Sequence, residues 1–257
     1  MPLQRAAVAI PPLAALLGGA QPDATAPAGL PAGADWASDQ PSDTQFDTDV
    51  AALTSAAPAG CRSVKRAQTL YRSGDAFHSV YAVVSGCLKV VLFHSEGREQ
   101  ICGFPSAGDL LGLDGIHAGY HTSDVIALED SQVRVIPFGA LEARCRQTAA
   151  VQHHILRLMS AEIVREQHFF MLLGGMSAEE RLAAFLVSNS AKLAARGYSP
   201  HEFHLRMTRQ DIGNHLGMKL ETVSRTFSKF QVRGLITVNQ KHVTLRDLPA
   251  LQALAML

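Results

Sequence analysis

The chain has 257 residues, of which 47% are apolar, and its 23 lysines and arginines balance 23 aspartates and glutamates. This length and apolar content are sufficient for two modest domains with buried cores. The zero net charge excludes a uniformly basic nucleic-acid-binding protein, so any surface for nucleic acid must be local.

The N-terminal segment 1–42 is predicted to be a disordered tail. Alanine, proline and glycine supply 30 of the first 60 residues, and such a composition cannot form a packed core. The run AAVAIPPLAALLGGA resembles the apolar part of a secretory signal, but Pro11 and Pro12 interrupt it and Arg5 is its only basic neighbour. No run reaches the roughly eighteen apolar residues of a membrane span. We therefore expect a cytoplasmic protein.

Residues 43–145 are predicted to form a β-roll sensor or effector domain of the jelly-roll type. A short leading helix is expected where Phe46, Val50 and Leu53 share one face. The β-rich runs SVYAVV, CLKVVLF, QICGF, DVIALE and QVRVIPF follow, separated by turns at Gly74, Gly86, Gly97 and Gly108. These glycines recur every 11 or 12 residues, which is typical of an antiparallel sandwich or barrel.

Residues 146–175 have helical periodicity and are predicted to form a dimerisation helix. One face carries six residues spaced three or four apart, namely Ile155, Met159, Glu162, Glu166, Phe169 and Leu173. A helix of this length outside a compact domain must bury that stripe, and pairing with a second copy in a coiled coil is favoured. The alternative is a helix that packs on its own barrel.

Residues 176–257 show the signals of a winged helix-turn-helix. Ser177 and Glu180 form a capping box that begins one helix, and Gly197 follows its end. Thr208 and Asp211 begin a shorter helix. A glycine turn, a second amphipathic helix and the alternating run GLITVNQKHVTL follow in that order. This order indicates a helix-turn-helix with a β-hairpin wing.

The second helix of this motif carries the candidate DNA-binding surface. Leu220, Val223, Phe227 and Phe230 form its buried side, and polar residues lie opposite. Between positions 201 and 245 there are seven lysines and arginines and three acidic residues. A charged helix face is often only solvated, but the ordered motif favours DNA. The predicted DNA-binding residues are Thr208, Arg209, Lys219, Leu220, Glu221, Thr222, Ser224, Arg225 and Lys229.

The segment MTRQDIGNHLGMKLETVSRTFSKFQVRGLI resembles the DNA-binding motif of the Crp/Fnr transcription regulators, and its ETVSR is similar to the Fnr branch. QTLYRSGD, SVYAVVSGCLKV, EQICGFPSAGDLLGLDGI, LRLMSAEI and AEERLAAFL extend the likeness over about 200 residues, from near Phe46 to the C-terminus. The resemblance implies an α+β protein with an N-terminal cyclic-nucleotide-binding-like β-roll, a long dimerisation helix and a C-terminal winged helix-turn-helix. It also implies a homodimer that contacts double-stranded DNA and RNA polymerase.

The base-reading positions of Fnr-like proteins match Glu221, Ser224 and Arg225. An arginine can donate to O6 and N7 of guanine, and a glutamate can accept from N4 of cytosine. Leu220 stands where the cAMP-receptor branch has an arginine and the Fnr branch a valine. An apolar side chain cannot hydrogen-bond a G·C edge, which favours a TTGAT-type half-site.

The sensor end departs from the family. Cyclic-nucleotide binders carry an Arg-Ser pair in the phosphate-binding loop, whereas this chain has no arginine or lysine between Gly108 and Glu129. The Fnr cluster needs three N-terminal cysteines and one in the barrel. Residues 1–60 contain no cysteine, and Arg134 occupies the barrel position. Neither a cyclic nucleotide nor an iron–sulfur cluster is therefore expected.

The cysteines and histidines leave other sensor chemistries open. Four widely separated cysteines, Cys61, Cys87, Cys102 and Cys145, indicate a reducing compartment and small buried side chains, with a redox role as the alternative. Haem is a further possibility because some relatives use it, and the barrel histidines are His78, His94, His117 and His121. Jelly-roll enzymes carry an HxH pair that this chain lacks, so no enzyme is expected. The runner-up function is a haem- or ligand-binding sensor.

Overall fold

The computed structural model describes residues 60–94 and 97–255. The predicted tail 1–42 and the predicted leading helix around Phe46 lie outside the described residues. The described strands are β1 Cys61–Val64, β2 Thr69–Tyr71, β3 Ser79–Ser85, β4 Leu88–Phe93, β5 Glu99–Gly103, β6 Leu110–Leu111, β7 Asp124–Ala127, β8 Ser131–Pro137, β9 Glu202–His204, β10 Ile236–Asn239 and β11 His242–Leu245. The described helices are α1 Gly115–Ala118, α2 Phe138–Gln147, α3 Ala149–Gly175, α4 Ala178–Ala195, α5 Arg209–Leu216, α6 Leu220–Val232 and α7 Leu248–Ala255.

The first eight strands form two antiparallel sheets, with strand orders β1-β8-β3-β6 and β2-β7-β4-β5. Residues from both sheets share one core, in which Val64, Leu88 and Val125 have no exposed surface. The predicted jelly-roll architecture is therefore confirmed. The four predicted turn glycines have φ angles between 77° and 92°, a region that glycine adopts without steric cost.

Helices α2 and α3 cover one end of the β-roll. Leu141 of α2 and Val151 of α3 are buried with Val80 and Ile136 of the roll. Helix α3 is one unbroken helix of 27 residues, and it continues well beyond this contact. The predicted long helix is therefore present, and its N-terminal part packs on its own β-roll.

The C-terminal part is a winged helix-turn-helix built on α4. Ser177 and Glu180 form the predicted capping box, and the predicted wing is the antiparallel pair β10–β11. Two elements were not predicted from the sequence. Strand β9 completes the sheet in the order β10-β11-β9, and α7 packs on α4. A three-residue strand is too short to show an alternating pattern, and the apolar run of α7 has no polar face that would mark a helix.

Candidate nucleic-acid interface

Helix α5 begins with a reciprocal capping box. The Thr208 hydroxyl accepts a hydrogen bond from the Asp211 N–H at 3.0 Å. The Asp211 carboxylate in turn accepts from the Thr208 N–H at 2.9 Å and from its hydroxyl at 2.6 Å. Because the side chains of Thr208 and Asp211 each bond the backbone N–H of the other residue, Thr208 fixes the start of α5.

Two glycines allow α5 and α6 to approach closely. A Cβ atom on Gly213 would lie 2.6 Å from the Met218 carbonyl oxygen, so no larger residue fits there. Gly217 ends α5 in the left-handed region with φ 63°, and its N–H donates to the Gly213 carbonyl. The turn therefore fixes the angle between α5 and α6, the geometry in which a second helix can enter a major groove.

Helix α6 separates an apolar side from a polar side. Val223, Phe227 and Phe230 are buried in the core that α6 shares with α4 and α5. The polar side is exposed at Glu221, Ser224 and Arg225, three of the predicted base-reading residues. Glu221 and Arg225 form no hydrogen bond or ion pair with any described residue. The first turn and a half of α6 therefore presents polar groups to solvent.

The remaining predicted residues lie around this face. Lys219 precedes α6 and is exposed, and Thr222 is half-buried. The expectation that Leu220 is buried is wrong: it is 39% exposed, because the first residue of α6 lies outside the core that contains Val223, Phe227 and Phe230. Arg209, which was predicted to bind DNA, is half-buried, and its guanidinium lies 3.1 Å from the centroid of the Phe227 ring. Burial lowers the pKa of Arg209 to about 10. Arg209 is therefore tied to the recognition helix by stacking.

Lys229 takes part in an ion-pair network at the end of the polar face. Its Nζ donates to the Glu179 carboxylate at the start of α4. The Arg233 guanidinium donates to the other oxygen of Glu179 at 3.2 Å. These side chains are partly exposed, so the network weakly orients Lys229 and leaves it at the surface.

The wing lies beside the start of α5. Gln240 adopts a φ of 56° in the hairpin turn, and the Lys241 Nζ donates to the Arg206 carbonyl at 3.0 Å. Gln240 and Lys241 border the same shallow pocket as Thr208 and Arg209. The wing tip and the start of α5 therefore form one continuous surface.

A polar cluster lies between Asp114 and Ser123 of the β-roll, with His121 and Ser123 buried, Asp114 half-buried and Thr122 exposed. His121 is 1% exposed, and its ring stacks on Tyr71 with centroids 3.8 Å apart. The Asp114 carboxylate lies 3.2 Å from His121 Nδ1 and accepts from the N–H groups of Thr122 and Ser123 at 2.8 and 3.1 Å. Burial raises the pKa of Asp114, but these hydrogen bonds outweigh it and lower that pKa overall.

The four cysteines lie in different parts of the described structure. Cys87 is buried, Cys102 and Cys145 are half-buried, and Cys61 is exposed at the start of β1. The expectation that all four are buried is therefore wrong for Cys61, which occupies the first position of an edge strand. Burial raises the pKa of Cys87 to about 12, and it raises the pKa values of Cys102 and Cys145. Among the described residues, no three His, Cys, Asp or Glu side chains are grouped as metal ligands.

Part of the predicted dimer stripe faces the chain itself. Ile155 packs on the β-roll core, and Phe169 stacks on His215 with centroids 4.7 Å apart. Glu162 pairs with Arg165 of the same helix at 2.7 Å. Leu173 also packs on its own chain, since its Cδ2 lies 3.3 Å from the position that a Cβ atom on Gly217 would take. Met159 is half-buried and Glu166 is exposed. The exposed apolar residues of α3 are Leu156, Ile163, Val164, Phe170 and Met171.

The β-roll also contacts α5 directly, which the sequence did not predict. The Lys89 Nζ lies 2.9 Å from the Asp211 carboxylate, and Gln100 Nε2 donates to the Asn214 carbonyl at 2.8 Å. His215 Nδ1–H donates to the Ile101 carbonyl at 2.9 Å. These partners are about 110 to 120 residues apart in sequence, so no local pattern could have indicated them. These contacts join the hairpin β4–β5 to α5, the helix that precedes α6.

Sequence comparisons identify both parts of the chain. Residues 61–148 match the cyclic nucleotide-binding domain family, and residues 180–254 match the Crp-like helix-turn-helix domain family. The fumarate and nitrate reduction regulatory protein of Salmonella typhimurium is 44% identical over 194 residues, which cover 76% of this chain and 78% of that protein. The transcriptional regulatory protein btr of Bordetella pertussis is 47% identical over 191 residues, which cover 74% and 79%.

Solved structures give the same result. FixK2 from Bradyrhizobium japonicum has a TM-score of 0.70 and 29% sequence identity, and the match covers 77% of this chain and 98% of that chain. A CooA mutant from Carboxydothermus hydrogenoformans, with a TM-score of 0.63 and 21% identity over 77% of this chain and 88% of its own, supports the fold alone. None of the helices in the described part of the chain is long and apolar enough to cross a membrane. The chain belongs to the Crp/Fnr superfamily of DNA-binding transcription regulators.

Proposed function

We propose that this regulator reads an inverted repeat of Fnr-like TTGAT half-sites through α6. One observation carries the proposal, namely that Glu221, Ser224 and Arg225 are exposed together on one side of α6. Arg225 can donate to O6 and N7 of guanine, Glu221 can accept from N4 of cytosine, and Ser224 allows close approach. Leu220 is apolar and exposed beside them, which suits contact with a thymine methyl group.

The protein acts as a homodimer paired through α3. Leu156, Ile163 and Phe170 are spaced by seven residues and are 57%, 55% and 79% exposed, which is a large apolar surface for one helix. Three residues of the stripe predicted from the sequence follow these positions by three residues each, as the second apolar position of a heptad does. They are Met159, Glu166 and Leu173. A parallel pair of α3 helices would bury both rows and give the protein the two-fold symmetry of an inverted repeat.

Sedimentation of Ile163→Glu tests the homodimer. A charge in the centre of the apolar row should convert the dimer to a monomer at micromolar concentration. Val232→Glu is the matched control, because Val232 is also apolar and is 88% exposed on a different helix. A wild-type monomer, or an Ile163→Glu protein that remains dimeric, would contradict pairing through α3.

We further propose that the regulator contacts RNA polymerase in the cytoplasm, has no enzymatic activity, and uses neither an iron–sulfur cluster nor haem. The absence of cysteine from residues 1–60 and the presence of Arg134 at the barrel position support the cofactor part. The haem- or ligand-binding alternative has less support, because His121 is held inside the roll by Asp114. An absorption spectrum of protein purified without oxygen tests this part, since bound haem or a cluster would absorb visible light.

Fluorescence anisotropy at fixed salt concentration tests the DNA proposal. The protein is titrated with a duplex that carries a TTGAT inverted repeat, and with a second duplex in which both half-sites are scrambled. We expect the repeat to bind at least a thousandfold more tightly, as is typical of specific recognition. Equal affinities for the two duplexes would refute the proposed readout.

A further inference from the structure

One arginine joins three backbone segments at the base of the DNA-binding domain. Arg181, in the first turn of α4, donates from Nε to the Met176 carbonyl at 2.8 Å. Its Nη1 donates to the Leu216 carbonyl at 2.9 Å, and its Nη2 donates to the Leu173 carbonyl at 2.8 Å. All three acceptors are main-chain oxygens, and they belong to α3, to the α3–α4 connection and to α5.

Two of these oxygens lie at helix ends. Leu173 is in the last turn of α3, and Leu216 is the last residue of α5. Carbonyl groups in a last turn have no partner within their own helix, and the C-terminal end of a helix attracts positive charge. The planar guanidinium of Arg181 satisfies both ends with a single side chain, which the single nitrogen of lysine cannot do with the same geometry.

The backbone at this junction is otherwise weakly constrained. Helix α3 ends in Gly174 and Gly175, and a Cβ atom at either position would meet no atom within 4 Å. Two consecutive glycines favour the helical conformation poorly. The next residue, Met176, is extended, with φ −97° and ψ 146°. The angle between α3 and α4 therefore depends on side-chain contacts across the junction.

The same cluster touches the turn that leads into the recognition helix. A Cβ atom on Gly217 would lie 3.3 Å from Arg181 Nη1 and 3.3 Å from Leu173 Cδ2. Gly217 is the residue at which the chain leaves α5 for α6. A continuous set of contacts thus runs from the end of α3, through Arg181, to the turn at Gly217 that precedes α6.

We propose that Arg181 is a positioning residue that sets the angle between α3 and the recognition helix α6, and with it the spacing of half-sites that the dimer accepts. This inference rests on the proposed function, since it requires α3 to pair two copies and α6 to read each half-site. Arg181 itself does not read bases. Its loss should leave recognition of one half-site intact and loosen the distance requirement between two.

The experiment compares wild-type protein with Arg181→Lys, which keeps the positive charge and loses the three-way geometry. Affinity is measured for a single half-site and for inverted repeats whose spacers differ by one or two base pairs. We expect the wild-type protein to prefer one spacing and Arg181→Lys to lose about tenfold of that preference, the factor expected for one lost hydrogen bond to a charged group. Half-site affinity should be unchanged.

The matched control is Arg246→Lys, an exposed arginine of the same domain whose Nε donates to the Thr237 hydroxyl at 3.0 Å, away from the junction. Its spacing preference should equal that of the wild type. The double variant Gly174→Ala/Gly175→Ala tests the junction from the other side, and is informative even if Arg181→Lys does not fold. Alanine fits in the open space there and favours the helix, so the preference for one spacing should sharpen.

Unchanged spacing preference in both the Arg181→Lys protein and the double alanine variant would overturn the inference. Equal losses on half-sites and on repeats of every spacing would also overturn it, because they indicate a purely structural role. Wild-type protein that binds no inverted repeat at any spacing would refute the proposed function itself. The two failures are therefore distinguishable.

Discussion

Polar groups of the β-roll loop at Asp114 are hydrogen-bonded within the chain, whereas those on the outer face of α6 are exposed to solvent. In the roll, the Asp114 carboxylate is turned inward and accepts several hydrogen bonds from one short loop. On α6, Glu221 and Arg225 are turned outward and are bonded to no described residue. The first arrangement satisfies its polar groups within the chain, and the second leaves them available to a partner.

The β-roll of this protein therefore differs from a nucleotide-binding roll of the same fold. A nucleotide-binding roll needs a cation for the phosphate, and here the corresponding loop is held by a histidine and a carboxylate of the chain itself. The helix-turn-helix keeps its polar face open because buried Val223, Phe227 and Phe230 are sufficient to anchor α6. The polar groups that the structure leaves exposed on α6 therefore lie in the C-terminal part, whereas those of the loop at Asp114 are bonded within the chain.

Removing the central acceptor of the roll should have the largest effect. Asp114→Ala leaves the donors of Thr122, Ser123 and His121 without their shared partner, and should lower the free energy of unfolding by roughly 3 kcal/mol. Urea denaturation measures this loss. Asp130→Ala is the control, because Asp130 forms a solvent-exposed pair with Lys65 and should matter little. Equal losses for the two variants would show that the loop cluster does not stabilise the roll.

The junction between the two regions should depend on pH through His215. Burial lowers the pKa of His215 to about 4, from an ordinary value near 6.5. The unfolded chain therefore binds more protons between these values, so stability rises with pH in that window and is fully present above about pH 6.5. We expect this residue to contribute at most about 3 kcal/mol, lost as the pH falls from about 6.5 to 4.

The measurement is the pH dependence of the free energy of unfolding in wild-type protein and in His215→Gln. Glutamine keeps an N–H donor for the Ile101 carbonyl and does not titrate. The stability of the wild type relative to His215→Gln should therefore fall by at most about 3 kcal/mol between pH 7 and pH 4. A parallel pH dependence in both proteins would assign the effect to the other histidines.

Replacing Arg225 tests the open face of α6. Arg225→Ala should weaken binding to the TTGAT repeat by roughly 1–3 kcal/mol and relax discrimination at one base pair, because a bidentate guanine contact is lost. Competition binding against repeats substituted at each position measures both effects. Ser228→Ala is a control from the same face, since the Ser228 hydroxyl donates to the Ser224 carbonyl at 3.1 Å. Equal losses on specific and random DNA would show that Arg225 does not read bases.

Local sequence patterns were sufficient for most of the fold and for the DNA-binding face. Capping residues such as Ser177 and Thr208, the glycine turns and the apolar side of α6 act over a few residues, so the sequence displays them directly. The face of α3 was less well predicted. A stripe containing Ile155 and Phe169 is apolar in sequence, but only the tertiary structure shows that these two side chains pack on their own chain.

Contacts between distant residues could not be predicted in this way. Lys89 meets Asp211 across more than one hundred residues, and Arg181 binds carbonyl groups that carry no side-chain signature. The inward orientation of His121 also depends on its stack with Tyr71, which belongs to β2 and is 50 residues earlier in the chain. Each of these features arises from how the elements pack, and none follows from the spacing of residues along the chain.

The smallest predicted effect concerns Lys229 at the edge of the open face. The sequence predicts a phosphate contact, whereas the structure pairs Lys229 with Glu179 in the absence of DNA. An exposed ion pair contributes little, so a DNA phosphate can compete for the lysine. Lys229→Ala should therefore weaken binding to all sequences alike and reduce the slope of log affinity against log salt by about one unit.

The Glu179→Gln variant tests whether Glu179 competes with a DNA phosphate for Lys229. Removing the carboxylate frees the lysine and Arg233 from their internal competitor, so binding to specific and random DNA should strengthen slightly and equally. The salt slope, measured by anisotropy over a series of salt concentrations, should not become shallower. If Lys229→Ala leaves the slope unchanged, Glu179 holds the lysine in the complex as well, and the phosphate-binding surface of α6 ends at Arg225.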